Sequence, residues 1–147
     1  MTKGNQLYFR LAVFFVCGIG FASFIDPFKY SLYPPAFGKI GFLVIATGLI
    51  FIFFAKIHAL RSKNSNEDYI PYFRKGIYTK SRHPRLLGIF LVLIGLSLAS
   101  GSVFAWIPAL AFIPFCNRKI IPRFESELSR IFGDDFEKYK ADVRPWI

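Results

Sequence analysis

Residues 86–115 read LLGIFLVLIGLSLASGSVFAWIPALAFIPF, thirty residues without one charged side chain. Ser81-Arg82-His83-Pro84-Arg85 stands directly before the run, and Arg118-Lys119 follows it closely. Basic residues flanking an uncharged apolar run are the pattern of membrane segments. One crossing needs about 20 residues, so the run is too long for one and too short for two full ones. The small cluster Ala99-Ser100-Gly101-Ser102 divides it. If Pro84 opens one helix and Lys119 ends the other, each has about 17 residues and reaches about 25 Å. We therefore expect a short helical hairpin, with Pro108 and Pro114 kinking its second arm.

Two more apolar segments lie upstream. Leu11–Ile25 follows Arg10, which is placed to snorkel from its end. Gly38–Leu60 supplies 23 residues with Lys39 and Lys56 near its ends, enough for one span. The first segment resembles a signal peptide, with Lys3 and Arg10 before an apolar core, but we read it as a retained anchor. The expected fold class is thus all-α and integral to the membrane. It has about four transmembrane helices, the last two a short hairpin, and an amphipathic helix after them. As a single membrane domain it divides into two N-terminal helices (1–60), a loop (61–85), the hairpin (86–117) and a tail (118–147).

The net charge of +10, from 19 basic and 9 acidic residues, taken alone suggests nucleic acid. Its distribution excludes that partner. Residues 1–55 carry +3, residues 56–85 carry +6, residues 86–117 carry nothing and residues 118–147 carry +1. A nucleic-acid binder spreads basic groups over a polar fold, whereas here they flank apolar runs. The positive-inside rule places the 61–85 loop, the tail and the N-terminus in the cytoplasm, leaving Asp26–Phe37 outside. Cys17 and Cys116 have no paired spacing, and His58 and His83 are too few for a histidine zinc site, so no metal is expected.

The chemistry must lie in the loop and the tail. The loop ends Gly76-Ile77-Tyr78-Thr79-Lys80-Ser81-Arg82-His83-Pro84-Arg85-Leu86-Leu87-Gly88. Pro84 suits a first helical turn, where its missing N–H costs nothing. A plain basic boundary before a proline-started helix accounts for much of this. However, Tyr78, Arg82 and His83 crowd the amide end of that helix, a natural place for an anionic group. Gly88, one turn in, permits close approach of backbone or ligand.

In the tail, Pro122 opens and Gly133 closes a helix. Phe124, Leu128, Ile131 and Phe132 form one apolar stripe, which alone would describe a helix lying on the bilayer. Glu125 and Glu127 border that stripe on opposite sides, about 200° apart, so one site cannot use both. Glu125, beside Phe132 on the wheel, is the one able to turn toward a pocket. Phe136, Tyr139, Val143 and Trp146 continue the amphipathic pattern, and Arg144 with Trp146 has the composition of an interface anchor. His58 is read as a juxtamembrane histidine, with pocket lining as the other option.

Gly76-Ile77-Tyr78, then Arg82-His83-Pro84 and Gly88, resembles the G-x-Y…RHPxYxG signature of the isoprenylcysteine carboxyl methyltransferase and phospholipid methyltransferase superfamily. That family's second motif is a Glu-Glu pair, then Leu, Phe-Gly and a Tyr-rich tail. Glu125, Leu128, Phe132-Gly133, Phe136 and Tyr139 fit its register. Two positions depart: Leu86 stands in place of the Tyr, and Phe124 in place of the first Glu.

The resemblance implies S-adenosylmethionine bound in a cytoplasm-facing pocket by Tyr78, Arg82, His83, Pro84, Gly88 and Glu125. Arg82 and His83 suit the cofactor's carboxylate, Glu125 its ammonium or ribose, and Tyr78 its adenine; Gly88 would let it approach the helix. Arg82, His83 and Glu125 would serve the reaction by positioning and electrostatics. The acceptor would be a lipid or prenylcysteine-type molecule, with carboxyl O-methylation favoured because no buried general base is evident. The location would be a cell inner membrane or the endoplasmic reticulum. A homodimer is compatible with so little bulk around a lipid. A non-catalytic lipid-binding scaffold and an NADPH-dependent sterol-type reductase are the alternatives. Ile89 counts against the reductase, whose motif typically has an acidic residue there.

Overall fold

The computed structural model describes residues 3–27, 34, 36–64 and 76–146. The middle of the expected loop and most of the Asp26–Phe37 connection lie outside the described residues. Every regular element among the described residues is helical: α1 (Lys3–Ile25), α2 (Ala36–Asn64), a 3-10 turn (Gly76–Thr79), α3 (Pro84–Ser100), α4 (Trp106–Phe115), a π turn (Cys116–Ile120), α5 (Ile121–Phe132) and α6 (Asp134–Asp142).

Two helices are long and apolar enough to cross a bilayer, over Gln6–Ile25 and Ala36–His58. Their outer faces are rich in large apolar side chains, with Phe24 exposed to 87% and Phe42 to 67%. Surface of that kind needs an apolar surrounding.

The α2–α3 contact explains four glycines. A Cβ on Gly48 would stand 2.7 Å from the Gly88 carbonyl oxygen, and one on Gly41 would stand 2.7 Å from that of Gly95. The two glycines on each helix are seven residues apart, and the helices run antiparallel. Backbone therefore meets backbone at two levels of one seam, where small residues replace side-chain packing. α1 lies on the other side, where Leu11, Phe15 and Ile19 join Leu86, Ile89 and Leu93 of α3 and Phe112 of α4 in the core. Phe15 and Phe112 meet edge to face at 5.2 Å.

α3 has the expected 17 residues and begins at Pro84. Its end is also where the small cluster predicts, with Gly101 capping it at φ +63. The turn beyond is tied to α1 by the buried Asp26, whose Oδ2 accepts from Ser102 Oγ at 2.6 Å and Phe104 N–H at 3.3 Å.

The second arm differs from expectation. α4 has 10 residues, not about 17, and does not stop near Lys119. It runs through the π turn into α5, so hairpin arm and tail form one helical path. Pro122 supplies a reason. It has no N–H to donate four residues back, and the chain widens just before it, with Ile121 N–H bonded five residues back to Cys116. Gly133, at φ +54, then reverses the chain from α5 into α6.

Candidate functional site

Two segments far apart in sequence converge on one carboxylate. His83 occupies the N-cap position of α3 without a side-chain cap bond of its own. Its ring, like the preceding Arg82, is thereby free to turn toward α5. Arg82 Nη1 donates to Glu125 Oε1 at 2.6 Å, and His83 Nε2 lies 3.2 Å from the same oxygen. An ionised carboxylate only accepts, so the His83 proton on this contact belongs to Nε2. Lys140 Nζ, brought round by the turn at Gly133, stands 3.8 Å from Glu125 Oε2.

The cluster is deep: side-chain exposure is 10% for Arg82, 5% for His83 and 11% for Glu125. Burial by itself would raise the Glu125 pKa. The His83 hydrogen bond and the charges of Arg82, His83 and Lys140 outweigh it, and the carboxyl titrates below its usual range. Arg82 Nε is buried with no hydrogen-bond partner among the described residues. Lys140 also pairs with Glu137, Nζ to Oε2 at 3.9 Å, so two cations meet two acids and the unmet group among the described residues is the Arg82 Nε donor. An anionic group answers that donor.

Arg82, His83 and Glu125 are thus brought together as sequence reasoning expects, and Pro84 sits buried beside them at the first turn of α3. Tyr78 and Gly88 are placed otherwise. Gly88 faces the α2 seam, where Ile52 and Gly48 fill the space a side chain would need. Tyr78 sits in the 3-10 turn with its hydroxyl donating to Ala55 carbonyl in α2 at 3.3 Å, while its own carbonyl accepts from Tyr139 hydroxyl at 2.6 Å. Burial pushes the Tyr78 phenol up to about 12 against the opposing Arg85 charge. Packed with Phe136 and Tyr139, it works as a pillar between α2 and α6. Glu127 is exposed, and His58 packs its ring against Gly76.

Three features were missed in the sequence. Lys140 reaches Glu125 only because Gly133 folds α6 back, which spacing does not reveal. Phe124 stacks on Tyr8 of α1 at 4.9 Å, and Arg85 lies 4.5 Å over the same Tyr8 ring. Finally, residues 144–146 lie along the motif: Arg82 N–H donates to Arg144 carbonyl and His83 N–H to Pro145 carbonyl. Among the described residues, no group of three or more His, Cys, Asp or Glu is placed to hold a metal.

The fold and cluster define a small helical protein with two membrane-length helices and a buried site where Arg82 and His83 close on Glu125. Its relatives extend that description. The chain is 36% identical over 61 residues to an uncharacterized protein of Haemophilus influenzae, covering 97% of that protein and 42% of this chain, and it belongs to the same family. It is 28% identical over 129 residues to the protein-S-isoprenylcysteine O-methyltransferase of Schizosaccharomyces pombe. That match covers 84% of this chain and 52% of the yeast protein, so the chain spans about half that relative's length. No family model matches the chain, and no solved structure does.

Proposed function

We propose that the protein is a membrane methyltransferase that uses S-adenosylmethionine to methylate a carboxyl group on a lipid or prenylcysteine-type acceptor. The observation that carries this reading is the convergence of Arg82 and His83 on Glu125, in a chain similar to an isoprenylcysteine O-methyltransferase. The residues fit the donor's charged end. Arg82, with its unmet Nε, suits a carboxylate, and Glu125 suits an ammonium or ribose hydroxyls.

The bound donor supplies an electrophilic methyl on a sulfonium. The chain need only hold donor and acceptor in line and exclude water, because a carboxylate acceptor has no proton to lose first. Arg82 and His83 orient the donor from the end of α3. Glu125 keeps its charge at neutral pH because its neighbours hold its pKa down. The lipid would enter from the bilayer, with the site on the cytoplasmic side where the basic residues gather. A homodimer would help enclose the acceptor.

One observation favours a second reading. The three groups pair in a buried cluster, as a purely structural ion pair in a lipid-binding scaffold would. Incubation with methyl-labelled S-adenosylmethionine and a total lipid extract separates the two. Base-labile label in a lipid fraction supports carboxyl methylation. Base-stable label points to an amine, and no label together with no binding of the cofactor favours the scaffold. Saturable binding of NADPH alone would replace both readings with the reductase.

A further inference from the structure

We propose that residues 143–146 are a movable strap over the site, latched by Asn117 and Trp146, which opens to hand its hydrogen-bond donors to an anionic ligand. The ligand half of this inference rests on the methyltransferase reading; the opening does not.

Access sets the problem. With Arg82, His83 and Glu125 all about nine-tenths buried or more, nothing of cofactor size reaches them unless a wall moves. Most walls are fixed. α3 is locked to α2 by the backbone contact at Gly88 and Gly48. The Tyr78 turn is bonded to α2 through Ala55 and to α6 through Tyr139. α5 continues the helical path of α4.

Among the described residues, the remaining wall is non-helical. α6 ends at Asp142, and Val143 turns the chain to extended backbone at φ −120, ψ 132, a natural hinge. Beyond it, Arg144 carbonyl accepts from Arg82 N–H at 3.0 Å, and Pro145 carbonyl accepts from His83 N–H at 3.2 Å. Ser81 Oγ also donates to Pro145 carbonyl, at 3.2 Å. Val143 packs on the Tyr78, Phe136 and Tyr139 cluster and Trp146 on the core, and Trp146 Nε1–H donates to Asn117 Oδ1 at 2.8 Å, an exposed bond that holds the far end of the strap. Asn117 lies in the π turn, so the widened helix presents the latch's acceptor.

Opening would change the donor inventory in a useful way. It frees two consecutive backbone N–H groups just ahead of the α3 N-terminus. Arg82 Nε, buried and unpartnered, lies on the same residue. A carboxylate fits that set of donors. In the closed state the strap carbonyls occupy two of them, so strap and ligand compete. The apparent affinity is then the intrinsic one scaled by the fraction of protein that is open.

Asn117→Ala removes the latch acceptor at an exposed position, and Asn117→Asp keeps it. Losing one net hydrogen bond shifts the opening equilibrium about fivefold. In detergent and without ligand, Asn117→Ala should speed amide hydrogen exchange at Arg82 and His83 about fivefold, leaving Leu93 within α3 unchanged. It should also tighten S-adenosylmethionine binding by up to the same factor. Asn117→Asp should behave as wild type in both tests. Unchanged exchange at Arg82 and His83 in Asn117→Ala overturns the strap. Faster exchange with weaker binding overturns the competition, making 143–146 a wall of the bound site. Faster exchange with no cofactor binding by any variant supports the opening and overturns the methyltransferase reading.

Discussion

Arg82 and Glu125, 43 residues apart in the chain, meet with Nη1 and Oε1 at 2.6 Å inside the protein. The contact joins the start of α3 to the middle of α5, and His83 shares the same oxygen. Removing either partner leaves a buried charge, whereas removing both leaves an apolar gap. Glu125→Gln should cost about 3 kcal/mol of stability, and the double change Arg82→Met with Glu125→Leu should recover most of it. Methyl transfer should be lost in both proteins. Thermal unfolding beside a methyl-transfer assay reads the two effects separately; activity surviving in the double variant would remove the cluster from the chemistry.

The pH dependence follows from the depressed Glu125 pKa. A carboxyl that is more acidic folded than unfolded stabilises the protein above its unfolded pKa. That contribution declines as pH falls through the ordinary glutamate range and is gone below the folded value. Melting temperature in detergent should therefore fall between about pH 5 and the acid limit more steeply for wild type than for Glu125→Gln. Parallel curves would show that Glu125 carries no such linkage.

The α2–α3 seam makes a contrasting pair of glycine predictions. Gly48→Ala drives a methyl against the Gly88 carbonyl and Val92 amide, both backbone atoms that cannot rotate away. The helices must part, at a cost of about 1–3 kcal/mol. Gly20→Ala in α1 meets nothing within 4 Å. It should be neutral or stabilise by up to about 1 kcal/mol through helix propensity. Equal effects at the two positions would show that the seam is not as close as described.

Tyr139→Phe deletes the hydroxyl that donates to Tyr78 carbonyl at 2.6 Å in a buried setting. About 1–2 kcal/mol should be lost with this buried hydrogen bond. Weakening this pillar should also increase hydrogen exchange in the Gly76–Thr79 turn, which mass spectrometry of the corresponding peptide can follow.

Much of the architecture was legible from local signals. The uncharged run at 86–115, Pro84 at its start and the small cluster at 99–102 locate α3, because each acts within one helical turn. Gly133 likewise marks the end of α5. The length of the second arm was not legible. The arm was expected to end at Lys119, whereas the helix passes through Pro114 and widens ahead of Pro122, where α5 opens as expected. Helical-wheel reasoning still chose Glu125 over Glu127, since that choice needs only the periodicity of α5 itself.

The sequence by itself determined the helices, the apolar faces and the motif residues, because hydropathy, proline and glycine act on their own neighbourhood. Only the tertiary structure decided what those residues do to one another. It assigned Gly88 to the α2 seam and Tyr78 to a pillar, and it brought Lys140 to Glu125. It also laid Arg144 and Pro145 along the backbone of Arg82 and His83. Each of those contacts joins segments whose approach depends on how whole helices pack and where the chain reverses, which no spacing along the sequence encodes.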